Sequence, residues 1–118
     1  MDADVSWLIE LEVKAGKLDA FRELMHEMVE SARTEPGTLA YSWFISDNGQ
    51  SVHVYERYTD SAATLIHLGK FAEHFAERFL SLVTPGRFAM YGTPNDAVRA
   101  ACDGLAPAYL GPFGGFVR

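Results

Sequence analysis

Apolar and polar side chains alternate over residues 5–13, with Trp7, Ile9, Leu11 and Val13 on one row and Ser6, Leu8, Glu10 and Glu12 on the other. A period of two predicts a strand with one buried face. Past Lys14-Ala15-Gly16-Lys17 the apolar spacing lengthens to three and four, through Leu18, Phe21, Met25, Met28 and Ala32. Asp19, Arg22, Glu23, Glu27, Glu30 and Arg33 occupy the opposite side. The segment therefore predicts an amphipathic helix of about four turns, which Pro36-Gly37 ends.

The alternation returns at residues 38–46, and Asp47-Asn48-Gly49 is a hairpin signal before a third strand from Ser51. That strand places Val52, Val54, Glu56 and Tyr58 on one face and His53, Tyr55 and Arg57 on the other. Asp60-Ser61 is a helix N-cap signal. It opens a second helix over about residues 61–83, with Phe71, Phe75, Phe79 and Leu82 at spacings of 4, 4 and 3 and a kink expected at Gly69. Thr84-Pro85-Gly86 stops it, and Arg87–Gly92 reads as a short fourth strand.

The order βαββαβ predicts an α+β, ferredoxin-like domain over residues 1–92, with an antiparallel sheet and both helices on one face. Two helices cover one side of such a sheet. Leu8 and Phe44, with either the Val52/Val54 row or Tyr55, are left on the other side, and sheet-to-sheet packing into a homodimer is the expected solution. Residues 93–118 lie outside that fold. Thr93-Pro94-Asn95-Asp96 resembles a capping box with proline at N1, predicting a short helix to about Cys102. The aromatic residues Tyr109, Phe113 and Phe116 beyond it predict an arm that packs on its own subunit or on its partner, burying at least Tyr109 and Phe113.

Composition changes this picture little. A chain of 118 residues that is 48% hydrophobic and 22% charged is an ordinary single-domain sequence. Ten Lys and Arg spread along a chain of net charge −6 argue against a nucleic-acid or anionic-membrane surface. The single cysteine, Cys102, forms no internal disulfide, and no apolar run approaches a membrane span or a signal-peptide core. The expectation is a cytoplasmic protein.

Chemistry concentrates at the junction of the third strand and second helix. His67 is the first candidate, because imidazole exchanges a proton near neutral pH, and Glu56 is the second. Trp43, Tyr41, Tyr58 and Phe71 are aromatic surfaces for a planar, hydrophobic ligand, and His74 shares the Phe71/Phe75 face of a continuous helix. His67 and His74 are seven residues apart, about 10 Å along a helix axis, so no metal site is expected. A half-exposed His67 would make His67→Ala costly to activity and nearly neutral for stability.

The words Glu35-Pro36-Gly37-Thr38, Tyr55-Glu56-Arg57-Tyr58-Thr59-Asp60-Ser61-Ala62-Ala63 and Ile66-His67-Leu68, in that order, resemble the antibiotic biosynthesis monooxygenase family. The resemblance implies a dimeric α+β barrel with a pocket between sheet and helices. It also implies oxygenation of quinol-type aromatics by O2 without metal, haem or flavin, with His67 as base, Glu56 assisting and no cofactor. Relatives in that family include a haem-degrading branch and an isomerase, so proton transfer without oxygen, or non-catalytic binding, are the alternatives. The chain departs from the haem-degrading pattern in lacking an Asn between Val5 and Val13. It also has Tyr58 where the usual strand word has Trp, and it continues His67-Leu68-Gly69-Lys70-Phe71 where relatives often read Pro-His-Phe after the His-Leu pair.

Overall fold

The computed structural model describes residues 3–118. Its elements run β1 (Val5–Val13), α1 (Leu18–Arg33), β2 (Thr38–Ile45), β3 (Ser51–Tyr58), α2 (Ser61–His74), α3 (Ala76–Leu82), β4 (Val83–Gly92), α4 (Asp96–Cys102), a 3-10 turn (Asp103–Leu105) and β5 (Ala108–Leu110). Among the described residues they build one five-stranded sheet of order β2-β3-β1-β4-β5. The first four strands pair antiparallel, as the ferredoxin-like reading requires.

The chain adds to that fold at one edge. β5 pairs parallel with β4, Met90 opposite Tyr109, so the sheet is mixed rather than wholly antiparallel. Parallel pairing needs a crossover, and α4 with its 3-10 turn supplies it. Asn95, not Thr93, caps α4: its side chain accepts from the Val98 N–H at 3.0 Å. Pro94 therefore stands before the cap instead of at the first helical position.

The apolar rows meet as their periods dictate. Trp7, Ile9, Leu11, Val52, Val54, Phe88 and Met90 face the helices and close over Phe21, Leu24 and Met28 of α1 and Phe79 and Leu82 of α3. α4 contributes Val98 and Cys102 to the same core, where burial pushes the Cys102 thiol up to about 11.

The second helix departs from expectation. It runs through Gly69 unbroken and divides instead at Phe75, whose backbone (φ −126°, ψ −26°) leaves the helical region. The alternation that leads into the fourth strand begins at Val83, so Pro85 and Gly86 lie within β4 rather than ahead of it.

On the open side of the sheet Ser51, His53, Tyr55 and Arg57 form the β3 row, half-buried, while Phe44 of β2 is 60% exposed. The Val52/Val54 row is inside. Within one subunit Tyr109 lies half-buried beneath the Arg99 guanidinium, 4.0 Å from its ring centre, but Phe113, Phe116 and Val117 are exposed. The expected burial of Phe113 on its own subunit is not what the chain does: past Leu110 the arm leaves the domain surface.

Candidate active site

A turn and a helix cap bring the site together. α1 ends at Arg33, and the Glu35 N–H is donated back to the Ala32 carbonyl at 3.0 Å, leaving the Glu35 side chain directed inward and buried. Pro36-Gly37 then reverses the chain into β2. A Cβ on Gly37 would stand 2.5 Å from the Ala63 Cβ and 3.1 Å from Thr59 Oγ1, so the absence of a side chain lets this turn lie directly on the first turn of α2. That turn is fixed by Asp60, whose side chain accepts from the Ala63 N–H at 2.8 Å. Residues four apart share a helix face, so Ala63 at the contact places His67 one turn onward, opposite Glu35.

His67 is held between two buried carboxylates. Its Nδ1 is 2.9 Å from Glu35 Oε1 and its Nε2 is 3.4 Å from Glu56 Oε1, and the imidazole is only 9% exposed. A neutral imidazole can donate from one nitrogen alone, whereas a protonated one donates from both. The cluster can thus shuttle one proton among three groups. Because the carboxylates lie at opposite ring nitrogens, they do not converge on a common point, and among the described residues no group of three His, Cys, Asp or Glu could hold a metal ion.

Each carboxylate has further support. Glu35 Oε1 also accepts from Thr38 Oγ1 at 2.7 Å, and Glu56 Oε1 accepts from the Tyr58 hydroxyl at 2.5 Å. Glu56 lies on a central strand with Tyr41 and Trp7 as its cross-strand neighbours. Burial raises its pKa above the ordinary carboxylate value, against the pull of His67 and of hydrogen bonds from Tyr58 and Trp7. Burial and then the Glu56 charge push Tyr58 upward, and the same causes, with Glu35, push Tyr41 well above the usual phenol value. Both phenols therefore stay protonated and act as donors, not bases.

The rings of Tyr41 and Tyr58 pack against His67 at 5.1 and 5.2 Å. At the imidazole a narrow, closed crevice is lined by Met28, Ser31, Glu35, Tyr41, Lys70, Phe71 and Phe75, with no room for even a water-sized molecule unless these side chains part. It is smaller than the ~300–1,000 Å³ of usual ligand pockets. A wider hollow of about 670 Å³ is lined by Glu12–Gly16, Leu18, Asp19 and Asn48–Gln50. It lies at the start of α1, about 24 Å from the Glu35 end, and none of the buried ionisable groups of the site faces it.

Of the residues singled out from sequence, His67, Glu56, Tyr58, Tyr41 and Phe71 come together here. Trp43 is the next residue of β2 on the same face as Tyr41, with rings 5.5 Å apart, and its buried indole N–H has no hydrogen-bond partner among the described residues. His74 is elsewhere: at the last residue of α2, its side chain is 58% exposed beside Glu73, outside the crevice. Glu35 escaped the sequence reading, although a carboxylate just past a helix C-terminus opposes the helix dipole and was a signal in itself. Lys70 and Phe75 carried no comparable signal.

Sheet, helices and buried acid–base cluster define a ferredoxin-like domain with a candidate site between sheet and helices. The chain belongs to the antibiotic biosynthesis monooxygenase family, whose pattern it matches over residues 5–77. Among solved structures it resembles MupZ from Pseudomonas fluorescens, at 27% identity and a TM-score of 0.84 over 98% of this chain and 95% of MupZ. Rv0793 from Mycobacterium tuberculosis shares the fold at 20% identity and a TM-score of 0.68, over 80% of this chain and 99% of its own. So does SnoaB from Streptomyces nogalater, described as a cofactor-independent oxygenase, at 18% identity and a TM-score of 0.66, over 79% and 95% of the two chains. No protein of curated function matches the chain by sequence.

Proposed function

We propose that this protein is a cofactor-independent monooxygenase that oxidises a small aromatic of quinol type with O2 at the His67 crevice. The observation that carries the reading is an imidazole buried between two carboxylates beside an apolar, aromatic-lined cleft. His67 takes the proton of a substrate hydroxyl, and the Glu35 and Glu56 carboxylates stabilise the imidazolium that results. Tyr41 and Phe71 flank the ring, keeping water from the electron-rich anion as it reduces O2. For a quinol ring C–H the balance is quinol + O2 → hydroxyquinone + H2O: one oxygen atom enters the ring carbon, the other leaves as water, and the quinol supplies the electrons. Membership of the family supports this chemistry, as does the likeness to SnoaB, a cofactor-independent oxygenase.

A redox-neutral proton transfer in the same crevice is the second reading. It is favoured by the buried Glu35–His67–Glu56 cluster, in which one imidazole can take a proton from the substrate and return it at another atom. Oxygen uptake with a panel of reduced hydroxynaphthoquinones, run beside His67→Gln, separates the readings. Uptake that depends on His67 supports oxygenation, and turnover without uptake supports the second.

The functional unit in this reading is a homodimer packed through the open face of the sheet. Phe44, Tyr91 and Leu110 stand exposed there around the half-buried Leu8 and Tyr55, an apolar surface that water does not favour.

A further inference from the structure

We propose that the C-terminal arm, residues 111–118, docks on the outer edge of β2 in a second copy of this chain and adds a strand there. The inference goes beyond the chemistry of His67 and rests on the homodimer proposed above. β2 is one end of the sheet, and among the described residues it pairs with β3 alone. Outside that pairing its only backbone hydrogen bond among the described residues runs from the Thr38 N–H to the Glu35 carbonyl, at 3.1 Å. An open edge invites another strand, and proteins guard such edges with charge, proline, bulges or very short strands. β2 is eight residues long and has neither a charged residue nor a proline, and Leu39, Phe44 and Ile45 are exposed along it. Only an irregularity between Thr38 and Ala40 interrupts its pairing.

The same chain carries a segment suited to that edge. The arm leaves the opposite end of the sheet after β5, and every residue from Gly111 to Arg118 is exposed, Phe113 wholly so. Phe113, Phe116 and Val117 are apolar surface held in water, and Arg118 is the one charged side chain of the segment. Pro112 has no N–H to donate, which suits a strand at an edge and not one inside a sheet. The reach is sufficient. Eight extended residues span up to ~26 Å. A two-fold axis parallel to the strands sets the β5 edge of each sheet over the β2 edge of the other, and face-packed sheets stand only ~10 Å apart. The arm's own β2 lies beyond the open face, which the arm does not cross and which the partner's sheet fills in the dimer. Tyr41 of β2 packs on His67 at 5.1 Å, so a strand added at this edge also braces one wall of the partner's site.

The test places the photo-cross-linker p-benzoylphenylalanine at position 116 of the full-length chain and mixes it with isotopically heavy wild-type chain before irradiation. The expected adduct joins a light chain to a heavy one and maps to residues 38–45. A second measurement compares the full chain with one truncated after Leu110. Truncation should speed hydrogen exchange of the β2 amides by about tenfold or more while leaving central β1 amides unchanged. It should also raise the dimer dissociation constant by about tenfold or more, as apolar side chains lose their cover. An adduct within one chain, an adduct on another surface or none at all overturns the docking of the arm. So do β2 exchange and a dissociation constant that truncation leaves untouched. In each of those cases a full-length chain that is still dimeric keeps the homodimer reading intact. A full-length chain that is monomeric by light scattering at micromolar concentration overturns that reading and this proposal with it.

Discussion

At the scale of single residues the site is an electrostatic arrangement in a place that does not welcome charge. Removing the imidazole would leave Glu35 and Glu56 buried without their shared partner, so His67→Ala is expected to destabilise the fold by about 3–5 kcal/mol as well as abolish activity. That reverses the near-neutral stability effect expected of a half-exposed helical histidine; thermal melting of the variant checks it. Glu56→Gln should behave differently. It keeps the shape and an acceptor for Tyr58 while removing a charge whose burial is unfavourable, so its stability at neutral pH should equal or exceed the wild type while activity falls by about 10²-fold or more. The sign with pH follows from the raised Glu56 pKa. A carboxyl with a folded-state pKa above its unfolded value contributes stability below the unfolded value of about 4.5 that is lost as pH rises through the folded value. The advantage of Glu56→Gln should therefore shrink on acidification. An advantage that grows toward low pH would contradict the assignment.

At the scale of elements, one turn decides whether the cluster exists. Gly37 lies against Ala63, and the Thr59 N–H donates to the Gly37 carbonyl at 3.0 Å, so the α1–β2 turn and the start of α2 are fitted to each other. Gly37→Ala forces a side chain into backbone-level contact and should cost about 1–3 kcal/mol. It should also separate Glu35 from His67, so activity should fall further than the melting temperature alone explains. The break at Phe75 has another cause. Phe71, Phe75 and Phe79 keep a helical spacing, and only tertiary packing tells that the chain must turn there to send Phe79 and Leu82 under α1 and begin β4 at Val83. Period alone could not locate that break, and glycine, the usual suspect, sits harmlessly at position 69, where a Cβ would meet nothing within 4 Å.

At the scale of the whole molecule, the sheet has one covered and one open side. The homodimer proposal makes Phe44→Asp a direct test: light scattering should report a monomer with native secondary structure, and an unchanged dimer would remove the open face from the interface. The C-terminal segment divides at Leu110. Truncation before Leu105 removes the β5 pairing and the Tyr109–Arg99 stack and should lower the melting temperature by several degrees. Truncation after Leu110 removes residues that touch little of their own subunit. It should leave the melting temperature of a monomeric Phe44→Asp background unchanged. Among the described residues no helix is long and apolar enough to cross a membrane.

Periodicity carried the sequence a long way, because strand and helix periods are local properties. The βαββαβ order, the grouping of Val52, Val54, Glu56 and Tyr58 on one strand row, the Asp60 cap and the candidacy of His67 were legible in the chain, but which side of the sheet that row would take was not. The short words around Glu35, Glu56 and His67 also carry the resemblance to the family. What sequence could not supply was distance between segments far apart in the chain. Glu35 and His67 are 32 residues apart, and only the approach of Gly37 to Ala63 makes them partners. The same holds for β5, whose three residues carry no alternation long enough to read and gain their identity from the exposed edge of β4. Local spacing determined which surfaces each element would bury. Tertiary packing alone decided which buried carboxylates would share one imidazole, since burial and charge pairing depend on what the rest of the chain brings near.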